Sequence, residues 1–289
     1  MAMKTVLGIF RAACFSPGMV ERDEAVLRAV MARMEASGYA VSYLHEEELV
    51  PDTPMPYMAL HMARSPQALE VLLRWQRAGC RVVNSVEGVH SVERASLARW
   101  CAVQGIPTPK TWIIDTADCR LLCTVTTEGV CEDITFPCWV KRAGTCAQES
   151  SDVCRVTDAE EYRACMSRYR SRGICEAVVM EHLEGPCVKF YAVPGANFFY
   201  SLPMGRLGYD KFAGNTSECV EDDTSWACEA VNRQAPKWTS MLDVYGGDAI
   251  VGPDGVARLI DLNDWPSFSA CRAVAAEAIA LMIMNKTCV

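Results

Sequence analysis

The first 88 residues alternate between strand-like and helix-like patterning, and that alternation most narrows what the chain can fold into. Thr5 to Phe10 is a short apolar run. Leu27, Val30, Met31 and Met34 then recur at i, i+3, i+4 and i+7, the stripe of an amphipathic helix closed by Gly38. A second run at Tyr39 to Leu44, a helix around Gln67 to Arg77 and a strand at Arg81 to Asn84 complete a βαβαβ-like unit. Helical crossovers join parallel strands, so a small parallel-sheet domain is expected to end near Gly88.

Beyond it the pattern changes. A helix from about Ser91 to Gln104 is closed by Gly105, and Ile106-Pro107-Thr108-Pro109 forbids its continuation. Strand candidates follow at Thr111 to Asp115, Leu121 to Thr126 and Phe136 to Arg142. Thr157-Asp158-Ala159-Glu160 is a capping-box pattern that opens a helix to about Arg172. The last section offers strands at Ala177 to Leu183, Val188 to Val193 and Phe198 to Leu202, then a helical zone to about Met241. A hairpin turned at Gly252-Pro253-Asp254-Gly255 delivers the strand Val256 to Leu262. The expected division is an N-terminal α/β domain (1–88), one α+β lobe (89–178) and a second α+β lobe (179–289).

A formal net charge of −8 without long like-charge runs speaks against a binder that tracks nucleic-acid phosphates. The most apolar stretch, Ala273 to Met284, is interrupted by Glu277 and is too short to span a bilayer, and the N-terminus is not signal-like. A soluble cytoplasmic protein with neither nucleic-acid nor membrane partners is expected. The 16 cysteines are scattered with no C-x-x-C pair, which favours reduced core thiols over zinc ligands.

Three local features carry chemistry. Asp248 precedes Asp261 and Asn263 across the hairpin, and strand alternation puts Asp261 and Asn263 on one face. These are hard oxygen donors of the kind that suit Mg²⁺, although charges flanking a hairpin are also commonly solvated. Lys141 ends an apolar strand and is followed by Ala143-Gly144-Thr145, a strand-fixed cation before a loop whose backbone N–H groups can close over phosphates. No Walker-type G-x-x-x-x-G-K-[ST] occurs, which excludes a P-loop. Val178 to Met180 run as an apolar strand into Glu181-His182-Leu183-Glu184. That backbone can present an edge to adenine, and Glu184 can accept from ribose hydroxyls; a surface turn accounts for it equally well.

The order of these features resembles the ATP-grasp superfamily over nearly the whole chain. The resemblance runs from Val82-Val83-Asn84-Ser85 through the helix with Arg94 and the step from Gly105 to Pro109. It continues through the Lys141 strand and the hinge at Glu181 to Leu183, and closes on Asp248 and Asp261-Leu262-Asn263. It implies an ATP-grasp fold, α/β with α+β lobes, in which a small parallel-sheet domain precedes two lobes that enclose ATP and Mg²⁺. It further implies that Arg94, Lys141, Gly144 and Thr145 lie on the phosphates, that Glu181, His182, Leu183 and Glu184 hold the adenosine, and that Asp248, Asp261 and Asn263 hold magnesium. Arg94 departs from the lysine many members carry there, keeping the charge but changing its geometry.

Two features bear on the acceptor. Asp261-Leu262-Asn263 and Cys187-Val188-Lys189-Phe190-Tyr191 are similar to the inositol-phosphate kinase branch of the superfamily. Peptide-type ligases carry Glu-x-Asn and Asp-x-Arg in those places. The expected activity is therefore transfer of the ATP γ-phosphoryl group to an inositol, an inositol phosphate or a related polyol. Lys189 and Arg142 would be its catalytic cations, and Arg11, Lys189, Arg206, Lys211, Ser267 and Ser269 would face the small-molecule acceptor. A carboxylate–amine ligase working through an acylphosphate is the alternative, and a non-catalytic nucleotide-binding module is the second.

Overall fold

The computed structural model describes residues 3–125, 133–144, 147–204, 224–238 and 241–285. Its N-terminal part comprises β1 (Thr5–Phe10), α1 (Val20–Ala36), β2 (Ala40–His45), β3 (Met58–His61), α2 (Pro66–Arg77) and β4 (Arg81–Val83). The four strands pair in parallel in the order β2-β1-β3-β4, so the strand order reverses between β1 and β3. The helical stripe of α1 is fully buried, and α2 starts on a Ser65 cap with Pro66 at its first position, where the missing N–H costs nothing.

β3 was not expected. Met58-Ala59-Leu60-His61 has no β-branched residue and is too short to show alternation, yet all four side chains are buried at the centre of the sheet. Its last residue, His61, has Nε2 2.7 Å from the backbone oxygen of Asn84, so Nε2 carries the hydrogen and donates. Burial pushes its pKa down from 6.5 to about 4. The unfolded chain therefore binds this proton through a pH range in which the folded chain does not, and stability falls as pH drops from about 6.5 towards 4. At about 1.4 kcal/mol per pH unit this one group removes roughly 3 kcal/mol. Urea unfolding at neutral pH and near pH 4 is expected to show a smaller pH-dependent loss in His61→Gln than in the wild type; an identical loss would remove His61 as its source.

Two helices, α3 (Val86–Ser91) and α4 (Arg94–Gln104), lead to the middle lobe. The helix expected from about Ser91 starts at Arg94, which places that residue in the first turn of α4, and the short α3 before it was not expected. The lobe contains β5 (Thr111–Asp115), β6 (Leu121–Val125), β7 (Cys138–Arg142), β8 (Val153–Val156), α5 (Ala159–Ser171) and β9 (Glu176–Glu181), with an antiparallel sheet ordered β6-β5-β9-β7-β8. Asp158 caps α5 by accepting from the N–H groups of Glu160 and Glu161. Cys138 and Val140 pack with Cys165 and Tyr169 of α5, whereas Trp139 and Ala143 pack with Ala95 and Ala98 of α4. A boundary at 178 would cut β9, which pairs with β5 and β7 through Glu181; the passage to the next lobe runs over residues 182–186.

The C-terminal lobe is built from β10 (Cys187–Val193), β11 (Phe198–Pro203), α6 (Ser225–Gln234), β12 (Tyr245–Val251), β13 (Ala257–Asp264) and α7 (Arg272–Asn285). Its antiparallel sheet has the order β11-β10-β12-β13. Val188 and Phe190 pack on α6, while Tyr191 and Val193 face a core that also holds Phe10, Leu27 and Met31 of the N-terminal domain and Ile279 of α7. The first domain and the last lobe thus share one core. Buried Asn84 fastens them further: its Nδ2 donates to Val244 O at 2.7 Å, and its Oδ1 accepts from the N–H groups of Asp243 and Val244 at 2.7 and 2.8 Å.

Candidate active site

The antiparallel register of the C-terminal sheet sets three charges in one row. Lys189 of β10 pairs with Asp248 of β12, and Asp248 pairs with Asp261 of β13; two residues along, Asn263 shares the face of Asp261. Lys189 Nζ donates to Asp248 Oδ1 at 2.8 Å, so the lysine expected to meet an acceptor is held by a proposed metal ligand. Burial works against the Lys189 ammonium, but Asp248 overrides it and raises the pKa. Next to Asp248 the pairing shifts register, so that Ala249 meets Leu259 and Ile260 is skipped. Such a bulge re-aims backbone groups beside a site. Here the Ile260 carbonyl is taken by Lys141.

Lys141 comes from the middle sheet and donates to Ile260 O at 3.1 Å. Burial, the largest influence, lowers its pKa, against the opposing pull of Asp261 and Asp248. Arg94 approaches Asp261 at 3.6 Å and donates to Arg142 O at 3.1 Å; its Nε is buried without a hydrogen-bond partner among the described residues. Burial of Asp261 opposes its charge, yet Arg94, Lys141 and Lys189 outweigh it and hold the pKa below the usual carboxylate value. Three cations thus stand against two carboxylates, a surplus suited to an anionic ligand.

Two cavities meet at Arg94. One, of about 230 Å³, is bounded by Arg64, Glu93, Arg94, Gly144, Asp261 and Asn263. The other, of about 320 Å³, is mainly apolar, with Leu97, Val178, Met180, Leu259 and Ile260 in its wall. A charged recess thus borders an apolar one, with Arg94 in the wall of both. Among the described residues a Cβ built on Gly144 would meet nothing within 4 Å.

The hinge is fixed from both sides. Trp139 Nε1 donates to His182 Nδ1 at 3.1 Å, so the ring hydrogen lies on Nε2, 3.2 Å from Glu184 Oε1. Glu181 N–H donates to Lys110 O at 2.9 Å, its Oε2 accepts from Lys110 N–H at 3.2 Å, and Leu183 is half-buried. Glu184 is exposed, free of the sheet. Gly185 ends the hinge at φ +141°, where a Cβ would lie 2.2 Å from Val251 O, so glycine is needed there for both backbone and space.

Several expected site residues are engaged with other protein groups. Arg142 cannot share a face with its neighbour Lys141, and it turns away, bonding Gln148 at 2.7 Å and Asp152 at 3.3 Å. Arg11 is occupied by Met62 O, Asp23 and Asp264. Ser267 and Ser269 bond each other at 2.9 Å. Thr145, Arg206 and Lys211 lie outside the described residues.

Sequence reasoning missed Arg64 and Asp264. Asp264 is fully buried directly after Asn263, where it accepts from Arg64 and lies 3.6 Å from Arg11. Both arginines follow strands of the N-terminal domain, at the β1/β3 switch point where open α/β sheets bind ligands. Glu46 anchors the same crevice by accepting from the N–H groups of Ala12, Arg64 and Ser65 at 2.5, 2.9 and 2.7 Å. The parallel-strand ends were a legible signal for this region; the missed β3 hid it.

No protein-family model matches the chain, and a search of curated proteins gives no match. Its backbone is nonetheless similar to solved structures across its full length. D-alanine–D-alanine ligase from Bacillus anthracis complexed with ATP has a TM-score of 0.65 and 13% identity, with 98% of this chain and 99% of that chain covered. The RimK domain protein ATP-grasp from Sphaerobacter thermophilus gives 0.65 and 13%, covering 96% and 99%. The ATP-grasp ligase PsnB, complexed with minimal precursor, Mg and ADP, gives 0.58 and 15%, covering 98% of both. The chain therefore has the ATP-grasp fold. The inositol-phosphate kinase resemblance expected from the sequence gains no support from these neighbours, two of which are ligases by name.

Proposed function

We propose that the chain is an ATP-dependent carboxylate–amine ligase, which activates an acid as an acylphosphate and joins it to an amine with release of ADP and phosphate. The observation that carries this reading is the Lys189, Asp248, Asp261 row faced by Lys141 from the second sheet. Phosphoryl transfer asks a protein mainly for positioning and charge stabilisation, and fixed cations over a pair of carboxylates supply both. Lys141 and Arg94 neutralise nucleotide phosphates, the apolar slot takes the base, and the hinge backbone lies along its edge. Asp248, Asp261 and Asn263 are hard oxygen donors that fit Mg²⁺, which when bound spreads the charge of the transferring phosphoryl group. Among the described residues no three His, Cys, Asp or Glu side chains gather into a metal-type cluster, so a bound Mg²⁺ would draw its remaining ligands from nucleotide phosphate oxygens.

The ligase is preferred to the polyol kinase because of the acceptor side. A highly phosphorylated ring needs a dense basic surface, whereas among the described residues Lys189 is paired with Asp248 and Arg11 is bonded to protein groups. Arg64, which borders the cleft, is likewise paired with Asp264. An ADP-release assay over amino acids, short peptides and inositol phosphates tests the proposal. Release that needs an acid and an amine together is expected; release with a polyol alone would overturn it. In the same preparation Lys141→Met is expected to weaken ATP binding by about 10- to 100-fold, the equivalent of a charge-assisted hydrogen bond of roughly 1.5–3 kcal/mol. Unchanged affinity in calorimetry would remove Lys141 from the site.

A further inference from the structure

Taking the charged cleft as the nucleotide site proposed above, we infer that Asp152 is a positioning residue for the phosphates: it ties together the two ends of the loop after Lys141 and so holds Gly144 at the cleft. Asp152 has no exposed surface and is not part of the cleft wall, whereas Gly144 borders the cavity together with Arg94, Asp261 and Asn263. Arg142, which turns away from the cleft, is the second member of this clasp.

The entrance to the loop is fixed by α4 and β9. Arg94 donates to Arg142 O at 3.1 Å, Ala95 N–H donates to Ala143 O at 3.3 Å, and Ala143 N–H donates to Glu176 O at 3.1 Å. The exit lies before β8, which starts only at Val153, and there Asp152 takes over: its Oδ2 accepts from Gln148 N–H at 2.8 Å and from Glu149 N–H at 3.2 Å. Arg142 spans entrance and exit, donating to Gln148 Oε1 at 2.7 Å and to Asp152 Oδ2 at 3.3 Å. On the other side Arg172, the residue after α5, lies 2.8 Å from Asp152 Oδ1 and donates to Ser151 Oγ at 2.9 Å.

Burial opposes the charge of Asp152, but the Gln148 and Glu149 N–H groups, with Arg172 and Arg142, outweigh it and hold its pKa below the usual carboxylate value. The clasp is therefore ionised at neutral pH, and each of its hydrogen bonds is charge-assisted. Phosphate groups are cradled by successive backbone N–H groups, and a backbone already held at both ends loses less freedom when an anion binds to it. Without Asp152 only the entrance is fixed, and the bound phosphates have to order the backbone beyond Gly144 themselves.

The test compares ATP with adenosine on the full chain, by calorimetry for ATP and by displacement of a fluorescent ATP analogue for adenosine, with a thermal melt of each variant. In Asp152→Asn the affinity for ATP is expected to fall by about 10-fold while that for adenosine stays within about twofold, because only the phosphates use the loop. Arg172→Gln, a change at the half-buried outer side of the clasp, should move the ATP-to-adenosine ratio the same way by about threefold, and it decides the matter should Asp152→Asn not fold. A merely structural role would lower the melting temperature and leave that ratio at its wild-type value; an unchanged ratio in the folded variants overturns the inference. A wild-type chain that binds no ATP overturns instead the nucleotide reading of the cleft, and the role of Asp152 with it.

Discussion

Asp261→Asn is expected to lower ADP formation by about 100-fold or more while leaving the fold intact, because a metal-bound charge in phosphoryl transfer contributes several kcal/mol and each 1.36 kcal/mol is a factor of ten. The side chain is replaced at nearly constant volume at the mouth of a sheet, where Asp261 borders the cleft beside Asn263. The loss is specific in kind. With the carboxylate gone, the proposed nucleotide site keeps Arg94, Lys141 and Lys189 with one negative charge fewer, so binding of metal-free nucleotide is expected to be retained or tightened. What disappears is the gain in affinity and turnover that magnesium provides. Asn263→Ala removes a neutral oxygen donor and should act in the same direction, less strongly. Calorimetric titrations with and without Mg²⁺, alongside a thermal melt, read these effects separately. Near-wild-type turnover in both variants would take Asp261 and Asn263 out of the metal site.

How far this site could be read from the sequence depended on the range of each cue. Alternation within one strand is local, so the common face of Asp261 and Asn263 was legible, and so was the split of Val188 and Phe190 from Lys189 and Tyr191. The same rule applied to Lys141 and Arg142 would have kept Arg142 out of the cleft, since adjacent strand residues cannot share a face. Pairings between strands are another matter. Nothing local links Lys189 to Asp248, 59 residues apart, or reveals the bulge at Ile260. β3 was illegible because burial on both faces erased its periodicity and its residues lack β-branching, and with it went His61 and Arg64.

The acceptor assignment lost support for a related reason. Asp261-x-Asn263 and Lys189 were weighed as short strings, and a string does not record what a side chain is bonded to. Lys189 is bonded to Asp248, so we read it as part of the charge balance of the proposed metal row rather than as an acceptor cation. The arginine that does border the cleft from the N-terminal domain is Arg64, and its position depends on a residue that no motif marked.

That residue, Asp264, is where the largest loss of stability is expected. It has no exposed surface, it accepts from Arg64, and it lies 3.6 Å from Arg11, whose side chains are only 6% and 10% exposed. Removing one member of a buried ionic cluster leaves the other charges desolvated without their counter-charge, which costs about 3–5 kcal/mol. Asp264→Ala is therefore expected to lower the unfolding free energy by that amount. Asp264→Asn, which keeps an acceptor oxygen for Arg64 but not the charge, should lose less. Phe10, Leu27 and Met31 share their core with Tyr191, Trp265 and Ile279, so the N-terminal domain and the C-terminal lobe should unfold together. The loss should then appear as a lower midpoint of one shared transition, not as a new early phase. Below the unfolding range, ATP affinity should be little changed, because Asp264 touches the arginines of the N-terminal domain rather than Lys141 or Arg94. Denaturant unfolding followed by near-ultraviolet circular dichroism, with calorimetry on the folded variant, measures both. A stability within about 0.5 kcal/mol of wild type, the range of ordinary surface substitutions, would mean that the two arginines do not depend on Asp264.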